Sequence, residues 1–126
     1  DGVKESKVTV FLMTKELDAG DIWAQEDLSL EGSVSDIFDR LTRIGTRLTL
    51  KILSGDFSPI EQDHSQATYC KRRQPEDSEI TLQELSTMPS EYLYDKIRML
   101  ADPYPNAFIR TIDNKKLILK EAVIED

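Results

Sequence analysis

Two apolar runs separated by a short polar loop set the strongest constraint on how this chain can fold. Val8-Thr9-Val10-Phe11-Leu12-Met13 is bulky and β-branched, the pattern of a buried strand. Ile22-Trp23-Ala24-Gln25 is a second, shorter extended run. Between them lies Thr14-Lys15-Glu16-Leu17-Asp18-Ala19-Gly20-Asp21. A loop between two strands is anchored at both ends while its own backbone can take unusual conformations, and such loops often carry chemistry. Asp18 and Asp21 supply carboxylates. Gly20 is expected to take positive φ and turn the chain sharply just after Asp18. The same residues also make an ordinary turn, with Asp side chains bonding nearby amides. The local pattern leaves both readings open.

The chain has 126 residues, which suits one modest core. It is 39% hydrophobic and 32% charged, the balance of a globular chain rather than a disordered one. The net charge of −8 repels nucleic acid and anionic membrane unless a local basic patch overrides it, so nucleic acid is not expected as a partner. No apolar run approaches the ~20 residues of a membrane span, and no signal-peptide pattern opens the chain. Cys70 is the single cysteine, so no internal disulfide is expected, and a reducing, cytoplasmic setting fits. With one Cys and one His, no zinc site of the usual kind is expected.

Leu28 and Leu30 alternate with polar residues, the mark of a short edge strand. The clearest helix comes next. Ser33 is a good N-cap, with Asp36 close to a capping-box position. Val34, Ile37, Phe38, Leu41, Ile44, Gly45, Leu48 and Ile52 share one face. Asp36, Asp39, Arg40, Arg43, Arg47 and Lys51 take the other, with Asp36–Arg40 and Asp39–Arg43 spaced for ion pairs on a solvated face. Gly55 ends the helix, which is expected to cross over one face of the sheet begun by residues 8–13.

Residues 58–78 show little periodicity and read as a long connecting loop. Ile80-Thr81-Leu82 is a short apolar segment, and a second helix is expected from about Pro89, capped by Thr87 or Ser90. Leu93, Ile97, Leu100 and Ala101 share a face of it, and Pro103 and Pro105 stop it. Residues 107–112 and 116–124 read as strands of a hairpin turning at Asp113-Asn114.

Three separated stretches resemble the folate-dependent formyltransferases. V-T-V-F-L-M-T-K-E-L-D-A-G-D-I resembles that family's strand-loop-strand, with its "LDTGDI" signature. P-I-E-Q-D-H-S-Q-A-T-Y-C-K-R-R-Q-P-E-D-S is similar to its "P-x-x-Q … A-T … P-x-D" segment. I-R-M-L-A-D-P-Y-P-N-A-F-I resembles its "I-R … P-W-P-G-A-F" segment, with Tyr104 for tryptophan and Asn106 for glycine. Asparagine tolerates a left-handed turn, so the second change fits the segment. The run Arg72-Arg73-Gln74-Pro75-Glu76-Asp77-Ser78 is nearer the sugar-modifying members, such as the UDP-amino-arabinose formyltransferase, than the methionyl-tRNA enzymes.

The resemblance implies an α/β fold. Residues 1–57 would form the C-terminal part of a Rossmann-like formyltransferase catalytic domain, a strand-loop-strand plus crossover helix. Residues 58–78 would be the connecting loop, and 79–126 the start of a small α+β C-terminal region with a hairpin. The implied reaction moves a formyl group from 10-formyltetrahydrofolate, the co-substrate, to a primary amine. The acceptor expected here is a nucleotide-linked amino sugar; a methionyl-tRNA acceptor is the alternative. The resemblance makes Asp18 catalytic: it orients a histidine and a water and helps move protons. It puts Leu17, Ala19, Gly20 and Asp21 beside the co-substrate. Arg72 and Arg73 could hold the acceptor's diphosphate by bidentate bonds, or could merely neutralise Glu76 and Asp77. The family's catalytic Asn and His stand in an N-terminal half that precedes this stretch, and His64 matches no histidine motif. The chain is therefore expected to be the second half of an enzyme and inactive by itself, with that N-terminal half as its partner. A homodimer stays open, as does a non-catalytic interaction module.

Overall fold

The computed structural model describes residues 2–125, which form two compact units. The first comprises residues 3–31 and 35–70, and the second residues 71–125 with Gly2 and 32–34. The stretch 58–78 is thus divided between the units at residue 70.

In the first unit, β1 (Glu5–Phe11) and β2 (Ile22–Ser29) pair antiparallel, from Glu5 opposite Ser29 to Phe11 opposite Ile22. The register shifts between Val10 and Phe11, because Val10 faces Ala24 and Phe11 faces Ile22. Trp23 is the extra residue of this bulge, and its ring stacks on Phe57 at 4.8 Å. A bulge raises the local twist and redirects the chain beyond it, here the loop that leaves β1. Two expectations change. The first strand is half-exposed rather than buried and ends at Phe11, leaving Leu12 and Met13 exposed. One neighbouring strand shields a sheet less than two, and β2 is the only strand paired with β1 among the described residues. The second run and the proposed edge strand are one continuous β2.

Helix α1 (Val34–Leu53) begins directly after Ser33. Val34, Ile37 and Leu48 are buried on the expected face, but Leu41 remains exposed. Its end is a Schellman motif: the Gly55 amide reaches the Ile52 carbonyl and the Asp56 amide the Lys51 carbonyl, with Gly55 at φ 81°. The arginines do more than decorate a solvated face. Arg40 donates to the backbone carbonyls of Ser29 and Glu31, and Arg47 to the Glu26 carboxylate on β2. Arg43 reaches the Asp39 backbone carbonyl rather than its carboxylate. Carbonyls at the end of β2 lack strand partners, and a guanidinium within reach satisfies them.

The second unit contains α2 (Leu82–Thr87), α3 (Ser90–Met99) and the hairpin β3 (Ala107–Arg110) with β4 (Lys116–Leu119). Its core is Ile80, Ile97 and Ala107, flanked by Leu93, Leu100, Ile109, Leu119 and Ala122. Ile80 is drawn in by a bond from its amide to the Phe108 carbonyl at 2.7 Å. The short apolar segment at Ile80 therefore leads into a helix that periodicity alone did not reveal. Thr81 caps α2 by accepting from the Glu84 amide, while the Glu84 carboxylate accepts from the Thr81 amide. Helix α3 starts with Pro89 at its N-cap, without a side-chain cap. The hairpin turns through three residues, not two. Asn114 donates its amide to the Thr111 carbonyl and takes φ 61°, which completes a turn-and-bulge loop. Asn106 is not in the left-handed region; its side-chain amide instead donates to Asp102.

Glu84 has a second role in the same unit. Lys96 donates to its carboxylate at 2.7 Å and to the Glu79 carbonyl at 2.6 Å, and the Tyr92 hydroxyl donates at 3.2 Å. Burial pushes the Glu84 carboxyl up, but the Lys96 and Thr81 bonds, the Lys96 charge and the Tyr92 hydroxyl outweigh it and hold the group at about 2. A carboxyl depressed in the folded state stabilises above its unfolded pKa and loses that contribution as pH falls through the folded value. Thermal unfolding should therefore lose up to about 2–3 kcal/mol of this contribution between pH 5 and pH 2. Lys96→Met should flatten that part of the stability–pH curve, and an unchanged curve would remove the pair from the account.

Candidate active site

The loop between β1 and β2 is closed at its base by backbone. The Leu12 amide donates to the Asp21 carbonyl at 3.0 Å, one rung beyond the strand pairing. Ile22 and Ile60 exchange two backbone bonds, at 2.8 and 2.9 Å, so a third segment lies along the outer side of β2. Two residues further on, the Gln62 side-chain amide donates to the Asp18 carbonyl at 2.8 Å and to the Gly20 carbonyl at 2.6 Å. Thr14 adds a local bond from its hydroxyl to the Glu16 carbonyl.

The turn itself differs from expectation. Asp18, not Gly20, is the residue in the left-handed region, at φ 54°. Asp and Asn enter that region more readily than other side chains, at a cost of about 1–2 kcal/mol. Gly20 serves a different need. A Cβ built on it would stand 1.8 Å from the Leu12 carbonyl oxygen, so the two loop ends approach too closely for any side chain. Gly20 is buried and Ala19 half-buried, whereas Leu17, Asp18 and Asp21 are exposed. The result is a fixed backbone that presents the Asp18 carboxylate and the apolar Leu17 side chain to the outside, with Glu16 and Asp21 also exposed. Asp21 contributes its backbone to the base of the loop.

Arg72 and Arg73 lie in the second unit. They line a cavity of about 750 Å³ together with Ser78, Leu100, Tyr104 and Pro105. Arg73 donates to the Asp77 backbone carbonyl at 3.0 Å, and the Asp77 carboxylate accepts from the Gln74 amide at 2.7 Å. Among the described residues neither arginine forms an ion pair with Glu76 or Asp77, so their charge is available to the cavity. The residue that sequence reasoning missed is Gln62. It stood inside the P-I-E-Q pattern, but nothing in the pattern said which backbone it would reach.

An α/β arrangement with a braced strand-loop-strand and a separate helix-and-hairpin unit defines the class of protein, and comparison with known proteins agrees. Residues 75–126 match the family described as methionyl-tRNA formyltransferase, C-terminal domain. The chain is 33% identical to the methionyl-tRNA formyltransferase of Streptococcus equi subsp. equi, with all of this chain covered and 40% of that protein. It superposes on methionyl-tRNA formyltransferase from Clostridium thermocellum with a TM-score of 0.77 and 34% identity, over 88% of this chain and 48% of the other. A 4-N formyltransferase from Francisella tularensis shares the fold, with a TM-score of 0.66 at 21% identity, over 94% of this chain and 50% of the other. Residues 75–126 thus carry the C-terminal domain of that family, and the chain as a whole is similar to a C-terminal portion of these formyltransferases. It spans less than half the length of the relative from Streptococcus. No helix among the described residues is long and apolar enough to cross a membrane.

Proposed function

We propose that this chain serves the transfer of a formyl group from 10-formyltetrahydrofolate to a primary amine, in the cytoplasm, as the C-terminal portion of the enzyme. The observation that carries the reading is the Asp18 loop. An exposed carboxylate stands on a backbone fixed by the Gly20–Leu12 approach and by Gln62. The co-substrate supplies an amide-like formyl carbon, which a neutral amine attacks only if protons can leave the nitrogen. Asp18 offers the base that orients and charge-balances an imidazole from the preceding portion of the enzyme. The exposed Leu17 side chain and the neighbouring backbone of Ala19, Gly20 and Asp21 would border the co-substrate on this reading. Residues 1–57 thus belong to the catalytic domain, and 79–126 to the C-terminal region.

Methionyl-tRNA is the acceptor that the relatives at 33–34% identity support. The −8 charge does not oppose this as strongly as the total suggests. Residues 71–126 carry nine basic and eleven acidic side chains, so most of the acidic excess lies earlier in the chain. A nucleotide-linked amino sugar is the second reading, favoured by Arg72 and Arg73, which line the same cavity as Tyr104. The complete enzyme should be assayed with charged initiator tRNA beside a panel of nucleotide-linked amino sugars. Formylation of tRNA alone removes the sugar reading, and formylation of neither removes the function. Arg72→Ala combined with Arg73→Ala should raise the KM of the true acceptor by about three- to tenfold, since both side chains are exposed, and leave that of the folate donor unchanged. An unmoved acceptor KM would return both arginines to the solvated surface.

A further inference from the structure

We infer that Gln62 is a positioning residue for Asp18, resting on the formyl-transfer reading above. One side-chain nitrogen donates to two carbonyls of the loop, at Asp18 and Gly20, from 44 and 42 residues away in sequence. These carbonyls bracket Ala19 and both turn toward Gln62. An amide NH2 group has one hydrogen for each. The donor's own position is fixed, because Ile60, two residues earlier, is locked to Ile22 by the paired backbone bonds. Beside the local Thr14–Glu16 bond, the loop is held by the Leu12–Asp21 rung, the close approach of Gly20 to the Leu12 carbonyl, and Gln62. Only Gln62 touches Asp18 itself, whose left-handed backbone needs an outside hold to persist. The Gln62 bond therefore sets the direction in which the exposed carboxylate leaves the loop.

The chemistry of the clamp requires a donor. Glu has the same length but, when ionised, only accepts, so two carbonyls would face a negative charge. Leu fills the space without a bond. In the complete protein, Gln62→Glu and Gln62→Leu should each lower kcat by about ten- to a hundredfold, because displacing a reacting group by about 1 Å costs that much. KM for donor and acceptor should stay within about threefold. Amide hydrogen exchange over residues 14–21 should quicken. The decisive arm is the combination with Asp18→Asn. If Gln62 acts through Asp18, Gln62→Leu added to Asp18→Asn lowers kcat by less than about twofold further. Multiplying losses, an unchanged kcat in the single variants, or unchanged exchange in the loop would each overturn the inference. If the unaltered protein transfers no formyl group to any amine, the proposed function falls, and the exchange measurement still decides whether Gln62 holds the loop.

Discussion

Asp18→Asn in the complete protein is expected to lower turnover by about a hundredfold or more while leaving substrate affinity nearly unchanged. Asn is the informative replacement, because it keeps the shape and tolerates the left-handed backbone at φ 54°. What it removes is the negative charge. On the proposed function that charge holds a protonated imidazole and gives the amine's proton a path away. A neutral amide can orient the ring but cannot balance its charge. Stability should hardly move. The Asp18 side chain is exposed, and surface replacements away from special features stay within about 0.5 kcal/mol. The Gln62 bond goes to the backbone carbonyl, which the substitution retains. Steady-state kinetics beside a melting curve therefore separate chemistry from folding. Turnover within about threefold of the unaltered enzyme would mean that the loop carries another role.

The strand-loop-strand was legible in the sequence because two apolar runs bounded a loop with turn residues, and Gly55 was legible as a helix stop. Side-chain periodicity reports which face is apolar, and it located the α1 stripe except at Leu41. It does not report which backbone groups lack partners, so the bonds of Arg40 to Ser29 and Glu31, and of Gln62 to Asp18 and Gly20, were out of its reach. Helix α2 was missed because six residues are too few for a periodic signal, although Thr81 and Glu84 have the spacing of a capping box. The choice of acceptor turned on Arg72 and Arg73, two charges in an irregular stretch. A short charged run says little about substrate until the surface around it is known, and overall identity to the tRNA enzymes points the other way.

The same distinction between pattern and backbone governs Gly20, where Gly20→Ala is expected to damage the loop more than any side-chain deletion. The sequence suggested a glycine needed for positive φ; the structure makes it a glycine needed for close approach. The added Cβ would meet the Leu12 carbonyl oxygen at 1.8 Å and its carbon at 2.8 Å, against the roughly 3.5 Å that non-bonded heavy atoms require. Neither atom is the end of a flexible side chain. Relief demands that the chain at Leu12 and the chain at Gly20 part, which opens the Leu12–Asp21 rung and pulls the Gly20 carbonyl away from Gln62. Overpacking plus two lost hydrogen bonds amounts to about 2–4 kcal/mol. Turnover should fall by more than about a hundredfold, since the carboxylate's support moves with the loop. Gly45→Ala is the internal control. It lies inside α1 with nothing near the added atom, and should stabilise by about 0.5–1 kcal/mol. Urea unfolding of both variants in the complete protein reads the contrast directly. Equal midpoints for the two would mean that the Leu12–Gly20 approach loosens in solution without cost, and would take the rigid loop base out of the account of Asp18.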